Sequence, residues 1–250
     1  MTSRLSPGSA LDFFQRKIAP QVLHLLVVGL LATAASAQVR SATPAPSTPS
    51  QTTSPAPKRL AILPFNDSAV MKSSQEVFGS SVDVGKGMAE SLTRQLMKDA
   101  DYSVTPQETV TKVMAEQKFS KSDRTDRESA ARIGKILGVD LVVIGYMTEF
   151  GHRARRTMPD EILTSHTAIV EAEVRVIGVS DGEIEAVASG RGDASAQNRS
   201  LLAGWKGNPD SIDFSSTDFK KTLLGQAWNA AVTQMTEQLA ADSSRFSSTK

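Results

Sequence analysis

The chain has 250 residues, no cysteine, and 28 basic against 27 acidic side chains, for a net charge of +1. The absence of cysteine excludes disulfide staples, thiolate metal sites, a cysteine nucleophile and a cysteine-borne lipid anchor. Near-neutrality gives no electrostatic reason to bind nucleic acid, while 40% hydrophobic residues suffice for a core.

Residues 1–37 read as an export signal. Arg4, Arg16 and Lys17 precede an apolar run from Val22 to Ala35, broken by His24, which ends in Ala35-Ser36-Ala37, a small-x-small cleavage pattern. The run falls short of the roughly 20 residues of a spanning helix; an uncleaved anchor is the alternative. Loss of Arg4, Arg16, Lys17 and Asp12 with this leader turns the net charge to −1. Residues 38–57 carry Pro44, Pro46, Pro49, Pro55 and Pro57 among Ser, Thr and Ala. That composition predicts a disordered, extended linker. The folded domain is expected over residues 58–242, with a polar tail at 243–250.

Within the domain, Arg59 to Phe65 predicts a short apolar strand, ended by Pro64. Asn66 to Asp83 is expected to be a polar loop. Val84, Met88, Leu92 and Leu96 recur every fourth residue and predict a helix with one buried stripe. Tyr102-Ser103-Val104 is a strand candidate. Thr105-Pro106-Gln107-Glu108 predicts a helix start with Thr105 as cap and Pro106 in first position, and Val110, Val113 and Met114 as the inner face. Thr125-Asp126-Arg127-Glu128 predicts another capped start, with Ile133, Ile136 and Leu137 facing inward and Gly138 as terminator. Val139 to Tyr146 is an apolar run suited to the middle of a sheet. Residues 167–179 alternate as a half-solvated strand, with Ala168, Val170, Ala172, Val174 and Val176 on one side and Glu171, Glu173 and Arg175 on the other. Asp181-Gly182 turns that strand into a hairpin with residues 183–189. Ser215 and Asp218 are expected to cap a last helix striped by Leu224, Trp228, Ala231, Met235 and Leu239. The predicted fold is α/β: one domain with a mixed β-sheet, helices packed on it and one late β-hairpin.

The ordered segments RLAILPF, VGKGMAESLTRQLMKDADYSV, ESAARIGKILGVDLVVIGYMTEF, EAEVRVIGVSDGEIEAVASGRG and FSSTDFKKTLLGQAWNAAV resemble the CsgG family of curli production assembly and transport proteins. The resemblance spans about residues 59–240. Its most specific piece is the helix-to-strand junction from Ala130 to Asp140. The architecture also resembles the N-terminal domain of TolB-like proteins and periplasmic activators of peptidoglycan synthases. The family's best-known members are lipidated and form outer-membrane rings to which each subunit gives two β-hairpins. This chain lacks the cysteine and so resembles a non-lipidated member. Its Gly151–His166 segment, with Arg153, Arg155, Arg156 and Pro159, reads as too short and too charged for two membrane strands of roughly 9–11 residues. Arg191–Phe214 shows no readable alternation, and Arg191-Gly192-Asp193 reads as a strand end.

Candidate chemistry is sparse. His152 and His166 flank a polar loop, without the short helical spacing of common metal motifs, and read as surface residues. No G-x-S-x-G occurs, and the glycines from Gly79 to Gly87 miss the phosphate-loop spacing. No catalytic residue, cofactor site or metal site is expected. The candidate partner contacts are the Arg153, Arg155, Arg156 cluster, suited to an acidic partner or anionic headgroups, and the apolar group Leu201, Leu202 and Trp205, which must be covered at home or in a partner. The resemblance implies an exported, non-enzymatic protein of the periplasm or the outer membrane's periphery, acting through envelope protein partners in assembly or secretion of surface material. A homo-oligomer is possible, nucleic acid is not expected, and membrane contact would not use a spanning helix. An oligomeric outer-membrane channel and a periplasmic regulatory module for a cell-wall synthase are the alternatives.

Overall fold

The computed structural model describes residues 56–99, 101–120, 122–156, 164–209 and 211–246. The expected export signal, and the expected linker up to residue 55, lie outside the described residues.

Five strands form one mixed sheet in the order β2-β1-β3-β4-β5. They are β1 (Lys58–Ile62), β2 (Tyr102–Val104), β3 (Leu141–Arg156), β4 (Thr164–Gly178) and β5 (Ile184–Gln197). β1 runs parallel to β2 and β3, while β3, β4 and β5 form an antiparallel meander. The late β4–β5 hairpin is as expected, and β3–β4 adds a second. Helices cover both faces: α1 (Met71–Phe78), α2 (Val84–Leu96), α5 (Thr217–Lys220) and α6 (Leu223–Phe246) belong with one core, α3 (Gln107–Glu116) and α4 (Arg127–Leu137) with the other.

The two cores explain why β1 and β3 read as unbroken apolar runs. Leu60, Ile62, Leu141 and Val143 join Met88, Leu92, Val170, Val174 and Trp228 on one side of the sheet. Ala61, Leu63, Val142 and Ile144 meet Val110, Ala130, Ile133 and Ile177 on the other. A strand buried on both faces has no position to spare for a polar residue. The α2 stripe of Val84, Met88, Leu92 and Leu96 is fully buried, as predicted.

Several local expectations are corrected. The predicted loop at 66–83 contains α1, a mostly polar helix held by Val70 before it and by Phe78 at its end. Thr105 does not cap α3: its amide is tied to the sheet by donating to the Leu60 carbonyl at 2.8 Å. The helix begins at Gln107, which turns inward and donates to the Ile62 carbonyl at 2.7 Å and the Thr93 hydroxyl at 2.9 Å. Asp126 caps α4 by accepting from the Ser129 amide, and Gly138 ends it at φ 69°. Ile136, placed inward from the sequence, is 46% exposed, and Gly134 takes the inner position against Val142 and Val179. The last helix is broken in two. Ser216 caps α5, and Thr222 starts α6 by accepting from the Gly225 amide at 2.9 Å while donating to the Phe219 carbonyl. α6 then runs on through Phe246.

The strands of the meander are longer than predicted. β3 continues past Tyr146 to Arg156, through a register shift between Met147 and Glu149. β5 continues past Ser189 to Gln197, so Arg191-Gly192-Asp193 lies inside a strand rather than at its end. Residues 151–156 and 164–166, expected as loop, are strand: 154–156 pair with 164–166, and 151–153 with 167–169.

Candidate functional site

The distal half of the meander carries the charged and aromatic residues, and its two faces differ. On one face the inward positions of β5 are Ala186, Ala188, Gly190 and Gly192. A Cβ on Gly190 would stand 2.0 Å from the Ala231 carbonyl oxygen, and one on Gly192 1.9 Å from that of Ala227. Only glycine permits this approach of α6 backbone to strand backbone. The approach brings two glutamines to the free edge of the sheet. Gln238 accepts from the Ser189 amide at 3.1 Å and donates to the Ser189 carbonyl at 2.7 Å, and Gln234 accepts from the Arg191 amide at 2.8 Å. Unpaired edge groups are a template for another strand; here side chains of α6 fill three of them.

Under α6 lies an aromatic cluster. Trp228 stacks on Phe214 with centroids 4.3 Å apart and meets Phe150 and Phe219 edge-on at 6.3 Å. Its indole N–H donates to the Ser91 hydroxyl at 3.0 Å. The loop from Asn198 to Ser216 folds back onto this cluster. Leu201 is buried, and its carbonyl accepts from the Leu224 amide at 3.2 Å. Leu202 and Trp205 are partly buried against the same core, Trp205 edge-on to Phe78 at 6.4 Å. The apolar group is thus largely covered by its own domain.

The opposite face of the meander is an ionic ladder. Arg191 on β5 bridges Glu171 on β4 and Glu149 on β3, the latter at 3.2 Å. The Glu171 carboxylate, helped by Glu149, raises the Arg191 pKa further and keeps the guanidinium charged. Arg153 pairs with Glu149 from the other side. Glu173 pairs with Arg175 at 2.9 Å, and Arg175 lies over the Tyr146 ring at 5.3 Å. Beyond them the Thr167 and Ser195 hydroxyls meet at 2.7 Å. Alternation at 171–175 was readable in the sequence; the cross-strand partners Glu149 and Arg191 were not, because pairing register is a tertiary property.

Of the candidate contacts, Arg153 is exposed and joins the ladder, while Arg155 and Arg156 lie in register with Ser165 and Thr164 at the end of β3. Ser165 also pairs with Gln197. The arginines and the start of the 198–216 loop therefore share one end of the sheet. His152 and His166, distant in sequence, become neighbours on the β3–β4 hairpin, with ring centroids 6.3 Å apart and planes 28° from parallel. Among the described residues no cluster of three or more His, Cys, Asp or Glu side chains is arranged for a metal ion, and no helix is long and apolar enough to cross a membrane.

The family model for the curli production assembly/transport component CsgG matches residues 45–247. Solved structures of similar fold include the hypothetical protein CT253 from Chlamydia trachomatis, 18% identical with a TM-score of 0.45, over 75% of this chain and 98% of that one. Lipoprotein GNA1162 from Neisseria meningitidis is 19% identical with a TM-score of 0.41, over 57% and 85%. The C-terminal domain of LpoB from Salmonella enterica is 14% identical with a TM-score of 0.33, over 54% and 82%. No curated protein matches.

Proposed function

Because the chain belongs to the CsgG family, we propose that it is an exported, non-enzymatic envelope protein that works by protein contact in the assembly or secretion of surface material. It acts in the periplasm or at the inner face of the outer membrane. The family match over residues 45–247 is the observation that carries this reading. Within it, the charged end of the meander is the contact surface. Arg153 is exposed there, and Arg155 and Arg156 follow it on β3. An exposed cation at a sheet end, with two more arginines following it along the strand, favours an acidic partner surface and fast, steered association. Leu201 is buried in the domain's own core, while Leu202 and Trp205 offer the partner a partly exposed apolar margin.

The test is cross-linking of the full-length chain in a bacterial envelope, with light scattering of the purified protein with and without detergent. The expected result is a soluble species of low order that captures an envelope protein, and loses it when Arg153, Arg155 and Arg156 are all changed to Glu. Capture unchanged in that variant would refute the contact surface; reproducible turnover abolished by one substitution would refute the non-enzymatic role. A second reading, a ring-forming channel, draws support from one observation: β3 and β4 stay paired through residues 151–156 and 164–166. A large ring or recovery only in detergent, followed by conductance in bilayers, would select it.

A further inference from the structure

We propose that His152 and His166 form a two-ligand site for a divalent first-row transition metal ion, zinc or copper above all, which clips β3 to β4 near the end of the hairpin. The register places the pair. His152 stands opposite Ala168 and His166 opposite Ala154, so the two histidines are diagonal neighbours on one face of an antiparallel pair. Diagonal positions are within reach of long or aromatic side chains. The ring centroids are 6.3 Å apart. A metal–nitrogen bond of about 2.0–2.1 Å puts an ion roughly 3.2 Å from each ring centre, so two imidazoles sharing one tetrahedral ion have centres about 5.2 Å apart. The observed spacing exceeds that by about 1 Å with the rings stacked, so side-chain torsions of the exposed His152 and the half-buried His166 draw the rings together and turn one nitrogen of each toward a common ion.

Neither ring is committed elsewhere among the described residues: no hydrogen bond or ion pair to either imidazole is present, in contrast to the neighbouring Arg153, which is held by Glu149 on the ladder side. The immediate cross-strand neighbours, Ala154, Ala168, Ala194 and Ala196, are small and uncharged. They neither compete for the ion nor block it. Imidazole nitrogen suits zinc, copper and nickel and leaves magnesium and calcium to oxygen ligands. Two protein ligands leave further coordination positions to water, which makes this an exchangeable site rather than a closed structural one. Such an ion would cross-link adjacent strands at the same end of the sheet as Arg153, Arg155 and Arg156.

Zinc titration of the full-length chain by calorimetry, with the imidazole signals of His152 and His166 followed by NMR, tests the site. The expected result is one saturable ion per chain, simultaneous shifts of both imidazoles, and a zinc-dependent rise in Tm, since a ligand that binds only the folded state stabilises it. His152→Gln and His166→Gln should each weaken zinc at least about tenfold and abolish the Tm rise, while the zinc-free variants unfold like the parent. Absence of saturation below millimolar zinc, a shift of only one imidazole, or parent-like affinity in either variant would overturn the proposal.

Discussion

Gly192→Ala adds one methyl group at the point where α6 crosses β5. The new Cβ would lie 1.9 Å from the Ala227 carbonyl oxygen, 2.8 Å from its carbon and 2.9 Å from the Ala230 Cβ. Two of these are backbone atoms of a helix, so no side chain can rotate out of the way. An ordinary contact needs about 3.4–3.5 Å, so α6 must move out by about 1.5 Å. Overpacking of this kind costs about 1–3 kcal/mol. The shift also stretches the bonds from Gln234 and Gln238 to the Ser189 and Arg191 backbone. Each such bond contributes about 1 kcal/mol. The opposing effect is the conformational entropy of the unfolded chain, which alanine reduces by about 0.4–1 kcal/mol relative to glycine. The steric and hydrogen-bond losses win, and the net destabilisation is about 2–4 kcal/mol, a large part of the 5–15 kcal/mol typical of a domain. Urea unfolding reads the loss, and amide exchange at Ser189 and Arg191 locates it. A variant as stable as the parent, with those two amides equally protected, would show that the helix does not rest on the strand backbone.

Three further outcomes are expected. Trp228→Ala removes a buried indole from the stack with Phe214 and its edges with Phe150 and Phe219, and should cost about 3–5 kcal/mol in urea unfolding; a loss under about 1 kcal/mol would mean the cluster can collapse. Gln234→Ala combined with Gln238→Ala bares the Ser189 and Arg191 edge groups and should promote self-association, read as a concentration-dependent rise in scattering mass; a strictly monomeric double variant would contradict the edge role. The carboxyls of Asp126, Asp140, Asp181 and Asp213 are held below the ordinary range, chiefly by the Ser129 amide, the Arg59 guanidinium, the Glu183 amide and the Ser215 hydroxyl respectively. A depressed carboxyl stabilises the fold above its unfolded value of about 3.9 and loses that contribution as pH falls through the lower folded value. The urea midpoint should therefore be level from neutral pH down to about 5 and fall below about 4, with Asp140→Asn showing a shallower fall; a midpoint that rises on acidification would refute the assignment.

The parts of the fold legible in the sequence are those where one residue type does one job. Leu92 and its neighbours at fourfold spacing announced α2, the capping box from Thr125 to Glu128 and Gly138 bounded α4, though Asp126 rather than Thr125 is the cap, and the run from Val139 announced the strand at the centre of the sheet. The distal meander was not legible past Ser189 because its inward positions are Gly190, Gly192, Ala194 and Ala196. These alternate with polar residues, but by size rather than hydrophobicity, and the reason is the helix lying against them. α1 was hidden for a related cause: its buried turn is Ser74, and only Val70 and Phe78 reveal an inner side. The break before α6 depends on Thr222 bonding both ways, a role shared by many threonines that form no cap. For the candidate site, Arg153, Arg155 and Arg156 were visible as a cluster, whereas the pairing of Arg153 with Glu149 and the meeting of His152 with His166 exist only once β3 and β4 are in register.

The place of β1 has a consequence for timing. It is the first strand of the domain, yet Leu60 pairs on one side with Val104 and on the other with Leu141. Each flank of β1 therefore waits for a segment made much later, and the residues on either side of it, Leu60 and Ile62 or Ala61 and Leu63, belong to separate cores that neither can complete alone. A nascent chain emerging from its N-terminus has no strand to pair with β1 until β2 arrives, and cannot flank β1 on both sides until β3 does. Long-range parallel pairing of this kind is slow to form. In the export proposed above, where the chain would cross a membrane before folding, such lateness would be protective: the architecture delays its own closure while the chain is in transit.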